Sequence, residues 1–144
     1  MKKLSLFILT SLILSSCNSE SNEIKCKALT KEGIKHLDDG KIYSGNCLVY
    51  KNDIIAESRK IQNGIHKKSI GYWDTGEIKY TGGIKNDSLN GVYREYYKSG
   101  RIAKKGKFKK GYYHGRWKFV REDGVVLRVT KFNKGKVISE VNKN

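Results

Sequence analysis

Residues 91–100, GVYREYYKSG, contain the pattern that decides the fold. The segment is aromatic and β-branched, contains no Pro, and ends in Ser99-Gly100, a dipeptide suited to positive φ in a tight hairpin turn. Residues 101–109 then alternate, with Ile102 and Phe108 on one face and basic side chains on the other. The pattern predicts two antiparallel strands joined as a β-hairpin.

The hairpin pattern recurs at a fixed step of 24 residues. Six columns keep this step: Gly76, Gly100 and Gly124; Ile78, Ile102 and Val126; Ile84, Phe108 and Phe132; Gly91 and Gly115; Tyr93 and Trp117; Gly111 and Gly135. A fixed period of this size is typical of an architecture that stacks one supersecondary unit many times. We therefore predict an all-β fold, an antiparallel meander of tandem hairpins that forms an elongated, twisted sheet.

Two motifs in the array resemble the MORN repeat in its bacterial variant form. They are G-x-Y-x-x-Y-Y-x-x-G at residues 91–100 and K-G-x-x-H-G-x-W at residues 110–117. The resemblance covers residues 44–136, and the earlier repeats depart from it, since Asn90 and Lys67 break the His-Gly pair. It implies a β-hairpin repeat fold. Because many such chains are described as antitoxins of toxin–antitoxin systems, it also implies an antitoxin or immunity role.

The first 16 residues have the anatomy of a bacterial lipoprotein signal peptide. A positive start is followed by an apolar run from Leu4 to Leu14, too short to span a bilayer, and then by Ser15-Ser16-Cys17. This ending resembles a lipobox, which implies a lipid on Cys17 and membrane attachment through it. The alternatives are an ordinary signal peptide with a nearby Cys, or a buried apolar segment. We predict a signal peptide at 1–16, a lipidated tether at 17–23 and a β-repeat domain at 24–144.

The chain is strongly basic, with 30 Lys and Arg against 14 Asp and Glu and a formal charge of +16. Loss of residues 1–16 takes Lys2 and Lys3, so +14 remains on the mature chain. Such a charge favours anionic partners or surfaces. With the export signal, it predicts a protein of the bacterial cell envelope, lipid-anchored at the outer membrane or cell surface.

Two cysteines remain once Cys17 carries a lipid: Cys26 and Cys47. An even pair in an exported protein usually forms a disulfide. Closing a loop of this length would stabilise the fold by roughly 3 kcal/mol. The alternative is two free, buried thiols, because spacing alone does not bring the two Cα atoms together.

The sequence contains no recognised catalytic or metal-binding constellation. His36, His66 and His114 are scattered, without partners at metal-ligand spacing. Asp38-Asp39 precedes Gly40 in a hairpin-turn signal, where adjacent carboxylates diverge into water. No helix or phosphate-binding Gly-rich loop is evident after residue 17. We therefore expect no enzyme activity, no cofactor and no metal.

The second strand of each hairpin, represented by residues 101–109, predicts a basic face. Tyr80, Lys104 and Arg128 form one column. We expect basic residues of the opposite face, together with two exposed tyrosines, to bind an anionic partner. These residues are Lys79, Arg101, Lys105, Lys107, Lys109, Lys131, Tyr96 and Tyr113. The alternative is that the aromatic residues form the core of a sheet poor in aliphatics, and that the lysines are only its solvated face.

Three classes of function fit these features. A lipid-anchored, non-catalytic scaffold or binding module needs only the array and the tether, and its basic face predicts a protein partner with an acidic face. An antitoxin or immunity protein needs a surface complementary to one toxin. Nucleic-acid binding would use the same charge, but export makes nucleic acid an unexpected partner.

Overall fold

The structure is a computed structural model that describes residues 24–26 and 40–143. The predicted signal peptide, the predicted tether with Cys17, and the Asp38-Asp39 pair lie outside the described residues.

The described chain is all-β, as predicted. Ten strands form one sheet in sequence order, so each strand pairs only with its neighbours and the sheet does not close. The strands are β1 (Ile24–Lys25), β2 (Gly45–Lys51), β3 (Ile54–Gln62), β4 (Ile65–Tyr72), β5 (Ile78–Lys85), β6 (Ser88–Tyr96), β7 (Ile102–Lys109), β8 (Tyr112–Val120), β9 (Val126–Asn133) and β10 (Lys136–Asn142). From β2 onward all pairs are antiparallel, whereas β1 joins β2 in parallel, which a pure meander does not predict.

One edge of the sheet carries four two-residue turns. We call it the tight-turn edge, and its turns are residues 63–64, 86–87, 110–111 and 134–135. Both residues of each turn have positive φ, for example 52° at Lys110 and 80° at Gly111. This is the type I′ geometry whose twist matches the flanking strands. Each of three turn glycines also donates its N–H to a carbonyl of an earlier hairpin, such as Gly111 to Leu89 at 2.8 Å.

The opposite edge carries the two-residue turn at Asn52-Asp53 and three longer loops, and these loops correct one sequence expectation. We predicted a two-residue turn at Ser99-Gly100, but the loop is three residues long. The Tyr97 N–H donates to the Arg101 carbonyl, and the Gly100 N–H donates to the Tyr97 carbonyl, both at 2.9 Å. This is a type I turn followed by a left-handed glycine, with φ +80° at Gly100. The same bonding recurs at Gly76 and Gly124.

The two faces of the sheet differ, and one of them holds the core. We call it the aromatic face. Along its central row, large and small residues alternate across neighbouring strands, with Tyr93 directly opposite both Gly82 and Gly106. Trp117 is fully buried over Gly106, where an added Cβ would lie 2.2 Å from the indole ring. The glycines thus make the space that the rings fill.

Six rings pack in series on the aromatic face. Tyr93 lies 5.2 Å from Phe108, Phe108 lies 5.1 Å from Trp117, and Tyr113 lies 4.3 Å from Trp117 between ring centroids. Tyr80 and Phe132 extend the series at its two ends. Such pairs contribute about 0.5–1.5 kcal/mol each beyond their area burial. A sheet without a second layer can therefore still have a cohesive core.

A second, smaller core lies at the N-terminal end of the sheet. Tyr43, Cys47 and Ile61 are buried together, with Ile24 and Cys26 packed against them. Cys26 and Cys47 are brought together in disulfide geometry, with their Cα atoms 4.9 Å apart. That separation lies in the usual range for a bridge. The pair ties β1 to β2.

Candidate binding faces

Charge is sorted between the two faces of the sheet. Within the described strands there are three acidic residues, Glu57, Glu95 and Glu140. All three lie on the aromatic face, since Glu57 and Glu95 share a cross-strand row with Tyr80 and Glu140 lies opposite Thr130. The other described acids lie in turns and loops.

Each acid of the aromatic face neutralises a basic neighbour. Arg59 pairs with Glu57 at 3.1 Å, Lys104 with Glu95 at 2.9 Å and Arg128 with Glu140 at 3.7 Å, all N to O distances. Burial disfavours the charged form of Lys104, but the hydrogen bond and charge of Glu95 outweigh it and raise the pKa of this ammonium. The aromatic face is therefore electrostatically satisfied.

The opposite face, which we call the basic face, has no such compensation. It carries Lys60, Lys68, Arg94, Lys105, Lys107, Arg116, Lys118 and Lys131. None of these eight residues forms an ion pair within the described part of the chain. Lys105 is directly opposite Arg94 on one side and Lys118 on the other. Like charges opposed across strands destabilise a sheet, so this row lowers stability.

Three of the predicted site residues belong to the basic face, and a fourth, Lys109, lies next to it at the end of β7. Lys105 and Lys107 are exposed on β7, and Lys109 follows them in the same alternation. Lys131 is exposed opposite Arg116 on the neighbouring strand. The alternation read from the sequence therefore places these lysines as the structure does.

The remaining predicted residues lie elsewhere or have local partners. Lys79 stacks its Nζ 4.5 Å from the centroid of the Trp73 ring, and Arg101 donates from Nη1 to the Glu122 carbonyl at 2.9 Å. Tyr96 is half-buried opposite Ile102, two residues from Arg94 on the basic face.

Tyr113 lies on the other side of the sheet from the basic face. Its ring is half-buried in the aromatic series, between Trp117 and Phe132. Its direct cross-strand partner is Phe108. Tyr113 thus belongs to the core, which is the alternative that the sequence left open for its aromatic residues.

Sequence reasoning missed a polar cluster on β3 and β4. The Ser69 hydroxyl donates to Glu57 and lies 3.0 Å from His66 Nε2, which also contacts the Lys68 carbonyl at 3.1 Å. Burial, and then the charge of Arg59, lower the pKa of His66. This is not a nucleophile–base–acid relay, because the Ser69 proton goes to the carboxylate and Ser69 is only 3% exposed. The cluster instead satisfies buried polar groups.

The described residues contain no group of three or more His, Cys, Asp or Glu side chains that could hold a metal ion. In the same part of the chain, no helix has the length and hydrophobicity required to cross a bilayer.

Comparison with known proteins identifies no family for this chain. No protein-family model matches the sequence. No curated protein matches it at a significant level. Among solved structures, it is similar to a chain of the GtfA/B complex bound to UDP and GlcNAc, at 12% identity and a TM-score of 0.38. The similarity covers 80% of this chain but only 28% of that one.

Proposed function

We propose that this protein is a non-catalytic, lipid-anchored envelope protein whose repeat sheet binds the acidic surface of a partner protein through the basic face. The observation that carries this proposal is the separation of charge between the two faces. Every acid of the described strands pairs on the aromatic face, while eight basic side chains on the opposite face have no acid among them.

The unpaired charges of the basic face destabilise the sheet, and solubility alone does not require them to lie side by side. Soluble surfaces usually intersperse both signs of charge, whereas Arg94, Lys105 and Lys118 form an uninterrupted row across three strands. Neighbouring strands lie about 4.8 Å apart, so these charges repel one another within the screening length of about 8 Å. An acidic partner would relieve this repulsion.

Apolar side chains beside the charges favour a protein as the partner. Val92 is 47% exposed on β6, two residues from Arg94, and Tyr96 lies two residues further along. Charge complementarity accelerates association, whereas buried aromatic and aliphatic contacts slow dissociation. A mixed surface of this kind supports specific binding rather than simple adhesion to any polyanion.

The decisive experiment is affinity capture from envelope extract at moderate salt with the wild-type protein and a Lys105→Glu, Lys107→Glu variant. Both lysines are exposed, so the variant should fold. We expect the wild type to capture a partner that the variant loses. With a purified partner, the variant should associate more slowly and with a flatter dependence on salt.

A Lys51→Glu, Lys136→Glu variant is the matched control, because it makes the same change in net charge on β2 and β10, away from the central strands. This control should retain the partner. Equal recovery by the wild type and the Lys105, Lys107 variant would rule out the basic face. Recovery of a single toxin by the wild type alone would identify the partner as a toxin and establish the antitoxin role that the MORN-like motifs imply.

A further inference from the structure

The tight-turn edge carries two neighbouring pockets that are related by the 24-residue repeat. The first pocket is lined by Lys85, Ser88 and Asn90. The second is lined by the residues 24 positions later, Lys109, Tyr112 and His114. The repeat therefore duplicates a concave site as well as a strand pair. Equivalent strands are two strand spacings apart, so the two pockets lie roughly 10 Å from each other.

Both pockets are basic and share part of their lining. Lys109, Lys110 and His114 line each of them, Lys107 adds to the first, and Lys134 adds to the second. No acidic side chain lines either pocket. Both hollows are therefore lined by lysines without a compensating acid, which suits an anionic ligand that reaches into both.

One polar atom of His114, which lines both pockets, lacks the bond that its counterpart in the preceding repeat makes. Asn90 Oδ1 accepts a hydrogen bond from the Lys110 N–H at 3.2 Å. His114 occupies the equivalent position in the next repeat, and its Nδ1 is buried without a hydrogen-bond partner among the described residues. Buried polar atoms are rarely left unpaired, and a bound ligand is one way to satisfy them.

The size and lining of the pockets indicate the class of ligand. Their volumes, about 760 and 580 Å³, exceed what a bare inorganic ion would fill. Tyr112 lines the second pocket and is 59% exposed, so its ring offers an apolar surface there. The amide of Asn133 and three lysines line the same pocket. Stacking beside hydrogen bonds and charge suits an acidic sugar ring.

We infer that the tight-turn edge binds a linear acidic oligosaccharide, with one anionic unit in each of the two repeat-related pockets. A polymer with a regular unit fits repeated sites, whereas a folded acidic protein presents no fixed period. Duplex nucleic acid presents a phosphate about every 3.4 Å along each strand, several times more often than the pockets recur. An acidic disaccharide repeat places its charges at a spacing close to that of the pockets.

The test is calorimetric titration of the full-length protein with hyaluronan oligosaccharides of two to eight residues, which carry one acid per disaccharide, and with uncharged chito-oligosaccharides of the same lengths. We expect only the acidic series to bind, with affinity rising with length until one molecule reaches both pockets. A Lys110→Asn, Lys134→Asn variant should lose roughly tenfold in affinity, because charge-assisted contacts are removed. Asn adopts positive φ readily, so both turns should keep their geometry.

A Lys118→Asn, Lys131→Asn variant is the control, since it removes the same charge from the basic face. Its affinity for the oligosaccharide should remain within about twofold of wild type, well short of the tenfold loss expected of the Lys110, Lys134 variant. Equal loss in both variants, equal binding of the neutral series, or affinity independent of length would each overturn the inference. Lys107 lies on the basic face and also lines the first pocket, whereas Lys110 and Lys134 take no part in the basic face. The Lys110→Asn, Lys134→Asn variant therefore tests the pockets alone, and either proposal can fail while the other stands.

Discussion

Two glycines show how single residues control this sheet in different ways. Gly106 has an ordinary strand φ, but a side chain would not fit there, because the Trp117 ring occupies the space where a Cβ would lie. Gly100 has open space but a φ of +80°. Steric fit therefore explains the first glycine and backbone conformation explains the second.

We predict that Gly106→Ala lowers the free energy of unfolding by about 1–3 kcal/mol, because it overpacks the site under Trp117. Urea denaturation followed by tryptophan fluorescence measures this change. The Trp117 Nε1–H bond to the Lys107 carbonyl, 3.0 Å long, should be strained as the ring is displaced. A Gly106→Ala protein as stable as wild type would show that the ring does not occupy this space.

At Gly100, unlike Gly106, we expect the cost of a substitution to depend on whether the new residue tolerates positive φ. Gly100→Val is expected to cost roughly 1–3 kcal/mol, since β-branched residues resist positive φ, and Gly124→Val should behave alike. Gly100→Asn should cost much less, because Asn tolerates the left-handed region. Thermal unfolding of the variants gives the comparison, with Lys98→Val as an exposed control that should be nearly neutral. Equal stability of the Val variants at positions 98 and 100 would contradict the loop geometry.

The charged row of the basic face leads to an opposite prediction for Lys105. Replacing it with Thr removes repulsion from Arg94 and Lys118 and introduces a good strand former. We expect Lys105→Thr to raise the free energy of unfolding by about 0.5–1 kcal/mol at low salt, and by less at high salt. Urea titrations at two salt concentrations test this. A loss of stability would mean that packing of the Lys105 side chain stabilises the sheet by more than its charge destabilises it.

At the scale of single elements, the least regular part is β1, which the Cys26–Cys47 pair holds against β2. We predict that mass spectrometry of non-reduced digests shows one peptide pair joined through these cysteines. Reduction should then lower stability by about 3 kcal/mol in the chain-entropy description. Complete alkylation of both thiols in native, air-exposed protein would contradict the bridge.

Sequence predicted the hairpins well because their turns are encoded locally. Lys110-Gly111 and Gly100 mark backbone conformations that few residues adopt, so their spacing gave the strand order directly. The parallel pairing of β1 has no comparable local signal, since it depends on contacts between distant segments.

The sites were harder to predict than the strands. Tyr113 was expected beside the lysines, but it lies on the aromatic face with its cross-strand neighbour Phe108. Counting outward from the turn at Lys110-Gly111 pairs Phe108 with Tyr113, so the signal for this placement was present in the sequence once the turn was known. The register of β7 and β8 shifts further from the turn, between Lys105 and Lys107, and there the pairing cannot be counted from the turn alone. The pockets were also not predicted from the sequence, because residues from separate turns line each of them. The 24-residue step relating Asn90 to His114 was the available signal.

At the scale of the whole molecule, the proposed attachment to a membrane rests on residues 1–17, which lie outside the described residues. We predict that Cys17→Ser moves the protein from the membrane fraction to the soluble fraction. Each buried methylene contributes about 0.8 kcal/mol, and stable anchoring needs more than one acyl chain. Fractionation and the mass of the N-terminal peptide measure this. A wild-type protein that is wholly soluble, with no added mass, would refute the lipid anchor.

The sequential pairing of the strands also bears on how the chain reaches its folded state. From β2 to β10, every strand finds its partner in the strand just before it, so no segment has to wait for a distant one. Short-range pairing of this kind lowers the entropy lost before contacts form and favours rapid folding. The sheet can therefore grow hairpin by hairpin. Only one growing edge is then open to unwanted pairing at any moment.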